Sequence, residues 1–257
     1  MKKKILKIIK TKNKRPLVCL TAYSKPIAKI VDRHCDIVLV GDSLATAMLG
    51  MKNTHNVSVQ TMIQHGISVK SNVKKAICVI DMPANSYKNS KQAKRNANLI
   101  FKETKCDAVK IECNGRNYEI IKSIVQLGIP VMGHIGFTPQ YFKKFSVQGV
   151  SKVDQNKLID QAKKNEEAGV FSIVLECVDQ TLAKKITNIL KIPTIGIGAS
   201  INCDGQILVT DDMLGLSGFY PKFVKKFAKL DKVIDIGIEK YKKAVLNKKF
   251  PKNKNTF

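Results

Sequence analysis

Acidic residues are scarce in this sequence: 20 Asp and Glu stand against 45 Lys and Arg, a formal net charge of +25. A balance that basic raises nucleic acid or a membrane surface as a partner. Aromatics are only 6% of the 257 residues, tryptophan is absent, and arginine never clusters. A base-reading surface uses such interleaved aromatics and arginines, so their lack argues against specific nucleic-acid recognition and for a solvated lysine face whose attraction to polyanions fades with salt; binding that persisted at physiological salt and discriminated among sequences would favour the rival reading. No apolar run is long enough to span a bilayer, which excludes a membrane helix. The seven cysteines are odd in number and never spaced C-x-x-C, which fits buried free thiols in a reducing compartment better than a disulfide framework or a zinc site. The basic start MKKKILKIIKTKNK has only a short apolar stretch broken by lysine and no small-residue cleavage site, which predicts a cytoplasmic protein. No Gly/Ser linker, low-complexity stretch or repeat marks a boundary. One domain, 1–257, is expected, with a basic N-terminal helix at 1–14 and a basic tail at 248–257.

What is present is a series of short apolar runs that stop on a polar group. DIVLVGD ends at Asp42, AICVID at Asp81, AVKIE at Glu112, IPVMGH at His134 and FSIVLE at Glu176. Buried parallel strands read as continuous Val, Ile and Leu, and polar residues at their carboxyl ends are where α/β folds gather a site. From about residue 16 the chain alternates strand and helix, the pattern of parallel βαβ units. Strands are predicted at 16–22, 36–41, 76–81, 108–112, 129–134, 171–176 and 192–198. Helices are predicted at 24–34, 58–72, 90–105, 117–127, 155–168 and 179–190. QILV at 206–209 resembles a strand but follows Gly198 closely. Because a parallel crossover usually takes a dozen or more residues, it reads instead as part of a helix over 205–214 capped by Asp204. The eighth strand then falls at 222–227, followed by a last helix near 230–247. A length near the roughly 250 residues of a (β/α)8 barrel agrees with this count.

Asp42, Asp81 and Glu112 end neighbouring strands, so three carboxylates converge on one mouth. Uncompensated, they repel one another and are costly to desolvate. A divalent cation resolves the conflict, and all-oxygen ligation with open positions suits Mg2+. Lys110 shares a strand face with Glu112 and serves either as an ion-pair partner or as a hook for a substrate carboxylate. Glu176, in an apolar run and not a ligand, has the setting of a raised-pKa general base. His134 either shares that task or orients substrate. The other histidines, His34, His55 and His65, are given no role.

Taken in order, LTAYS at 20–24, LVGDSLA at 39–45, DMP-x-x-SY at 81–87, VKIE at 109–112, GHIGFTPQ at 133–140, VLEC at 174–177, TIGIGAS at 194–200 and DGQILV at 204–209 resemble the ketopantoate hydroxymethyltransferase family. The resemblance spans about Arg15 to Pro251. It implies a (β/α)8 barrel that transfers a one-carbon unit from 5,10-methylenetetrahydrofolate to 3-methyl-2-oxobutanoate, giving 2-dehydropantoate through a Mg2+-stabilised enolate. It also implies Asp42, Asp81 and Glu112 as Mg2+ ligands, Asp42, Ser43, Asp81 and Lys110 as substrate-binding residues, and Glu176 as proton acceptor. A homo-oligomer, commonly a decamer, is implied as well. Ser24, Ala45 and Ser200 depart from the family pattern without touching the assigned metal or base residues. A sibling reading, the phosphoenolpyruvate mutase and isocitrate lyase group, lacks here its K-K-C-G-H-type loop.

Overall fold

The computed structural model describes residues 3–142, 144–218 and 220–257. Two compact units are found, Met1–Val209 and Thr210–Phe257. The first is a closed barrel of eight parallel strands in sequence order: β1 Leu17–Thr21, β2 Ile37–Val40, β3 Ile77–Asp81, β4 Ala108–Glu112, β5 Val131–Gly136, β6 Ser172–Glu176, β7 Thr194–Ile197 and β8 Gly205–Leu208. Between strands run α2 Lys25–Val31, α3 Leu44–Ala47 and α4 Val59–Lys70, then α5 Ser90–Thr104, α6 Tyr118–Val125, α7 Lys152–Glu167 and α8 Gln180–Ile189. The expected (β/α)8 barrel is what the chain forms, and six predicted helices lie within a few residues of α2 and α4–α8.

Alternation along each strand divides the apolar residues into two cores. Val38, Val40, Cys78, Ile80, Val109, Ile111, Ile173 and Leu175 face outward. They meet the buried stripes of the helices, such as Met62, Ile63 and Val69 of α4 or Ala93, Ala97 and Ile100 of α5. Leu17, Cys19, Ile37, Leu39, Ile77, Val79, Ala108, Met132, Val174, Ile195 and Ile207 fill the interior, together with Ile5 and Ile8 of α1 (Lys3–Ile9). α1 thus closes the amino end of the barrel. It is tied there by Lys4 Nζ, which donates to the carbonyls of Lys74 (2.6 Å) and Ala76 (3.0 Å). Side-chain caps start the longer helices where the sequence offers them: Ser58, Asn89, Ser151 and Asp179 accept from backbone N–H groups of the first turn.

Closure of the barrel corrects the sequence reading in one place. The eighth strand is Gly205–Leu208, paired with both β7 and β1, and 222–227 forms no strand. The crossover rule fails because β7 and β8 are only four residues long, about 13 Å each. Seven intervening residues, 198–204, span up to roughly 24 Å when extended and so return without a helix. Gly205 permits the tight seam: a Cβ there would lie 2.7 Å from Leu17 Cβ and 2.8 Å from Ile195 Cδ1. Asp204 is no helix cap; its carboxylate accepts from Lys12 Nζ (2.7 Å) and from the Thr194 backbone N–H (2.8 Å). Only the end of the predicted helix survives, as α9 Thr210–Leu214.

The second unit contains α9 and α10 Leu230–Leu246. No residue of α10 is buried, and Val233, Ile234, Ile236, Ile238 and Tyr241 stay exposed. Among the described residues, no helix is long and apolar enough to cross a membrane.

Candidate active site

The inward positions change character toward the carboxyl end of the barrel. On β3 they read Ile77, Val79, Asp81; on β4 Ala108, Lys110, Glu112; on β5 Met132, His134; on β6 Val174, Glu176. Register aligns them, pairing Asp81 with Lys110 and Glu112 with His134. The apolar filling therefore ends beneath one polar ring. Asp42 joins it from the turn after β2. Asp42, Asp81, Lys110, Glu112 and His134 are each 5% exposed or less.

Within the ring, Lys110 Nζ donates to Asp81 Oδ1 at 2.6 Å, and Asp81 Oδ2 accepts from the Asp42 backbone N–H at 3.0 Å. Of the two roles open to Lys110, the ion pair is the one it takes here. Gln140, in the loop after β5, links the other two acids: its backbone N–H donates to Glu112 Oε2 (2.9 Å) and its Nε2 to Asp42 Oδ2 (2.8 Å). His134 lies between Glu176 and Glu112, with Nε2 3.2 Å from Glu176 Oε2 and Nδ1 3.6 Å from Glu112 Oε1. Neither contact is aligned as a hydrogen bond, so both imidazole nitrogens are buried without a partner among the described residues. Ser43 stands at the margin, half-buried, its Oγ 2.8 Å from the Tyr23 hydroxyl.

Electrostatics follow from burying four acids around one ammonium. Burial, then the Asp81 charge, push Asp42 up to about 6 against the opposing pull of Lys110. Burial and the Asp42 charge raise Glu112 well above the carboxylate range. Glu176 is pushed up to about 8, chiefly by burial, with Lys110 acting against it. Burial and Lys110 hold His134 well below its usual value, so the imidazole is neutral. Lys110 is buried too, but Asp81, Asp42 and Glu112 more than offset that cost and raise its pKa.

As the side chains stand, no three His, Cys, Asp or Glu among the described residues form a ready metal-binding group. The chemistry of the set still suits a hard cation. Asp42, Asp81 and Glu112 are acid oxygens on adjoining strand ends, and one lysine leaves their charge under-compensated, so that Asp42 and Glu112 are both pushed above the usual carboxylate range.

Gln140 and Tyr87 were not singled out from the sequence. Gln140 accepts from the Tyr87 hydroxyl and donates to the Met82 carbonyl, so one amide braces three loops. Both residues fall inside quoted motifs, GHIGFTPQ and DMP-x-x-SY, but nothing in composition or spacing marks a loop glutamine as a bridge between acids.

Comparison with known proteins identifies the family. The family model for ketopantoate hydroxymethyltransferase matches residues 2–253. A 3-methyl-2-oxobutanoate hydroxymethyltransferase of Pelagibacter ubique is 49% identical over 257 residues, covering 100% of both chains. One of Chelativorans sp. is 46% identical over 255 residues, covering 97% of this chain and 90% of that one. Among solved structures, 2,3-dimethylmalate lyase, a member of the PEP mutase/isocitrate lyase superfamily, superposes with a TM-score of 0.63 at 13% identity, over 94% of this chain and 87% of that one. A phosphonopyruvate hydrolase complex with oxalate and Mg++ gives a TM-score of 0.62 at 10% identity, over 98% and 93%. The two structures share the fold alone, whereas the family match and near-half identity over the full length are specific: the chain belongs to the ketopantoate hydroxymethyltransferase family.

Proposed function

We propose that this hydroxymethyltransferase works by proton abstraction at C3 of 3-methyl-2-oxobutanoate, with Glu176 as the base and 5,10-methylenetetrahydrofolate as the one-carbon donor. Asp42, Asp81 and Glu112 would hold Mg2+, which when bound supplies a Lewis acid for the 2-oxo group. Asp42, Ser43, Asp81, Lys110 and His134 bind the keto acid. The observation that carries this reading is the buried ring of strand-end side chains in which one ammonium, one neutral imidazole whose nitrogens make no hydrogen bond, and a carboxyl pushed up to about 8 are brought together.

Each residue then has a physical task. A C–H beside a ketone is a very weak acid, so its base gains from a raised pKa near the working pH, which burial gives Glu176. Lys110 offsets the substrate carboxylate throughout the reaction. His134, neutral and without a partner, is free to hydrogen-bond the keto acid and fix its orientation. The C3 carbon bonds to the methylene carbon, whose two C–N bonds break as water adds its hydroxyl. The C3 proton and the second water proton finish on the two folate nitrogens, giving 2-dehydropantoate and tetrahydrofolate.

A homo-oligomer, the decamer the resemblance implies, is part of the same proposal and is supported by the exposed apolar residues of α10. The burial of all seven cysteines supports a reducing, cytoplasmic setting. The test of the mechanism is hydrogen exchange: Mg2+ and 3-methyl-2-oxobutanoate in heavy water, without folate, should lose the C3 proton signal in the NMR spectrum. Chelation or Glu176→Gln should slow that loss by about 10²- to 10⁴-fold. Undiminished exchange in Glu176→Gln refutes the assignment of the base.

A further inference from the structure

A cavity lies beside the polar ring, between the loops that follow β3, β4 and β5. Its volume is about 380 Å³, within the range of small-molecule sites, and Asn85, Tyr87, Lys88, Arg116, Asn117 and Tyr141 contribute to its lining. Gln140 belongs to both places. Its side chain lines the cavity and reaches Asp42, while its backbone N–H holds Glu112. The same Gln140 side chain thus accepts from the Tyr87 hydroxyl, on the cavity lining, and donates to Asp42, in the ring.

Three features of the lining point to a ligand with a polar ring system at one end and negative charge at the other. Asn117 is 4% exposed; its Nδ2 donates to the Glu112 carbonyl at 2.9 Å, but its Oδ1 is buried with no donor. An orphaned buried acceptor costs about 1–3 kcal/mol, a deficit that a ligand N–H removes. Tyr87, 5% exposed, and Tyr141, 44% exposed, place phenol rings on the lining, apolar surfaces for a flat heterocycle. Lys88 and Arg116 are exposed, and among the described residues neither is paired with a carboxylate. The basic character continues onto α5, where Lys91, Lys94 and Arg95 are exposed and the first turn carries no acid.

We propose that this cavity is the seat of the one-carbon donor: the pteridine head lies against Tyr87 and Tyr141 with an N–H on Asn117 Oδ1, and the glutamate tail runs out over Lys88 and Arg116. The proposal rests on the reading that the donor is a reduced folate. It adds a preference, because a tail with more glutamates meets more of the cations leading onto α5, and the advantage is electrostatic and screened by salt.

The experiment is a calorimetric titration of the full-length enzyme with tetrahydrofolate carrying one or three glutamates, at low and at high salt. The parent should bind the triglutamate more tightly, and salt should narrow the gap. The double variant Lys88→Ala/Arg116→Ala should bind the triglutamate about tenfold more weakly, two partly screened ion pairs being lost. Lys88→Arg/Arg116→Lys should keep most of the affinity, and thermal melts will show that both variants are folded. A double alanine variant that binds both ligands like the parent overturns the site. So does a parent enzyme that exchanges the C3 proton of the keto acid yet binds no tetrahydrofolate. A parent that binds tetrahydrofolate with the expected dependence on Lys88 and Arg116 but fails to exchange overturns the base assignment instead and supports the cavity.

Discussion

Replacing Lys110 by methionine tests the electrostatic design of the ring directly. Methionine keeps the unbranched stem and removes the ammonium that sits 2.6 Å from Asp81, with side chains only 6% and 3% exposed. Breaking one partner of a buried pair leaves the other charge without compensation, which costs about 3–5 kcal/mol. For a chain of this size that corresponds to a fall in Tm of roughly 6–20 °C. The loss should be larger at pH 8 than at pH 6, because Asp42, already pushed up to about 6, relieves the repulsion at lower pH by taking a proton. Asp81→Asn in the same background should restore part of what was lost, so that the double variant is more stable than the sum of the two singles by about 1–3 kcal/mol. Urea denaturation of the four proteins at both pH values gives these numbers. Additive single effects, or a Lys110→Met protein within about 1 kcal/mol of the parent, would show that Lys110 and Asp81 are not coupled and would undo the account of the ring.

Two further outcomes follow from the same site. Asp42 and Glu176, raised to about 6 and about 8, keep protons in the folded protein at pH values where carboxyls of the unfolded chain, near 4, have lost theirs. The folded state therefore binds more protons, and its stability should fall as pH rises from about 4 to 8. On the proposed ligation Mg2+ would bind the ionised acids, so the rise in Tm on adding it should be larger at pH 8 than at pH 6, and an equal or smaller rise at pH 8 in calorimetric scans contradicts the proposed ligands. Gly136, with φ +94°, faces Glu176 across the β5–β6 register, and a Cβ there would overlap the Glu176 carbonyl oxygen and lie 2.6 Å from Val178 Cγ2. Gly136→Ala should destabilise the barrel by at least about 1–3 kcal/mol and, by displacing the base, slow C3 exchange about 10²-fold. Normal exchange in a folded Gly136→Ala protein means that Glu176 is not held by that junction.

The sequence disclosed the ring more readily than it did the barrel's seam. Polar endings on β3, β4 and β6 are visible because period-two burial leaves Val79 and Asp81, or Val174 and Glu176, on one face, and a chain does not place acids there without a use. β8 was misplaced because its strand signal, QILV, competes with a crossover rule that holds only for longer strands. Gly205, which lets β8 approach Leu17 and Ile195, is a more local clue than loop length. Gln140 was invisible for a different reason. Its importance comes from reaching Asp42 on β2's loop and Glu112 on β4 at once, a coincidence of three distant segments that no local pattern records. Lys110 was legible as a buried cation, but which anion it holds depends on register, since pairing Asp81 with Lys110 puts them side by side across the β3–β4 ladder.

The stopper that Ile5 and Ile8 form at the far end of the barrel also bears on traffic. With that end filled, the carboxyl end is where the ring meets solvent, and Lys110 and Glu112, 5% and 1% exposed, are more enclosed there than Tyr141, which is 44% exposed. If the keto acid and its donor take the places proposed above, the deeper of the two is expected to load first and leave last, an order imposed by a floor of residues remote from any chemistry.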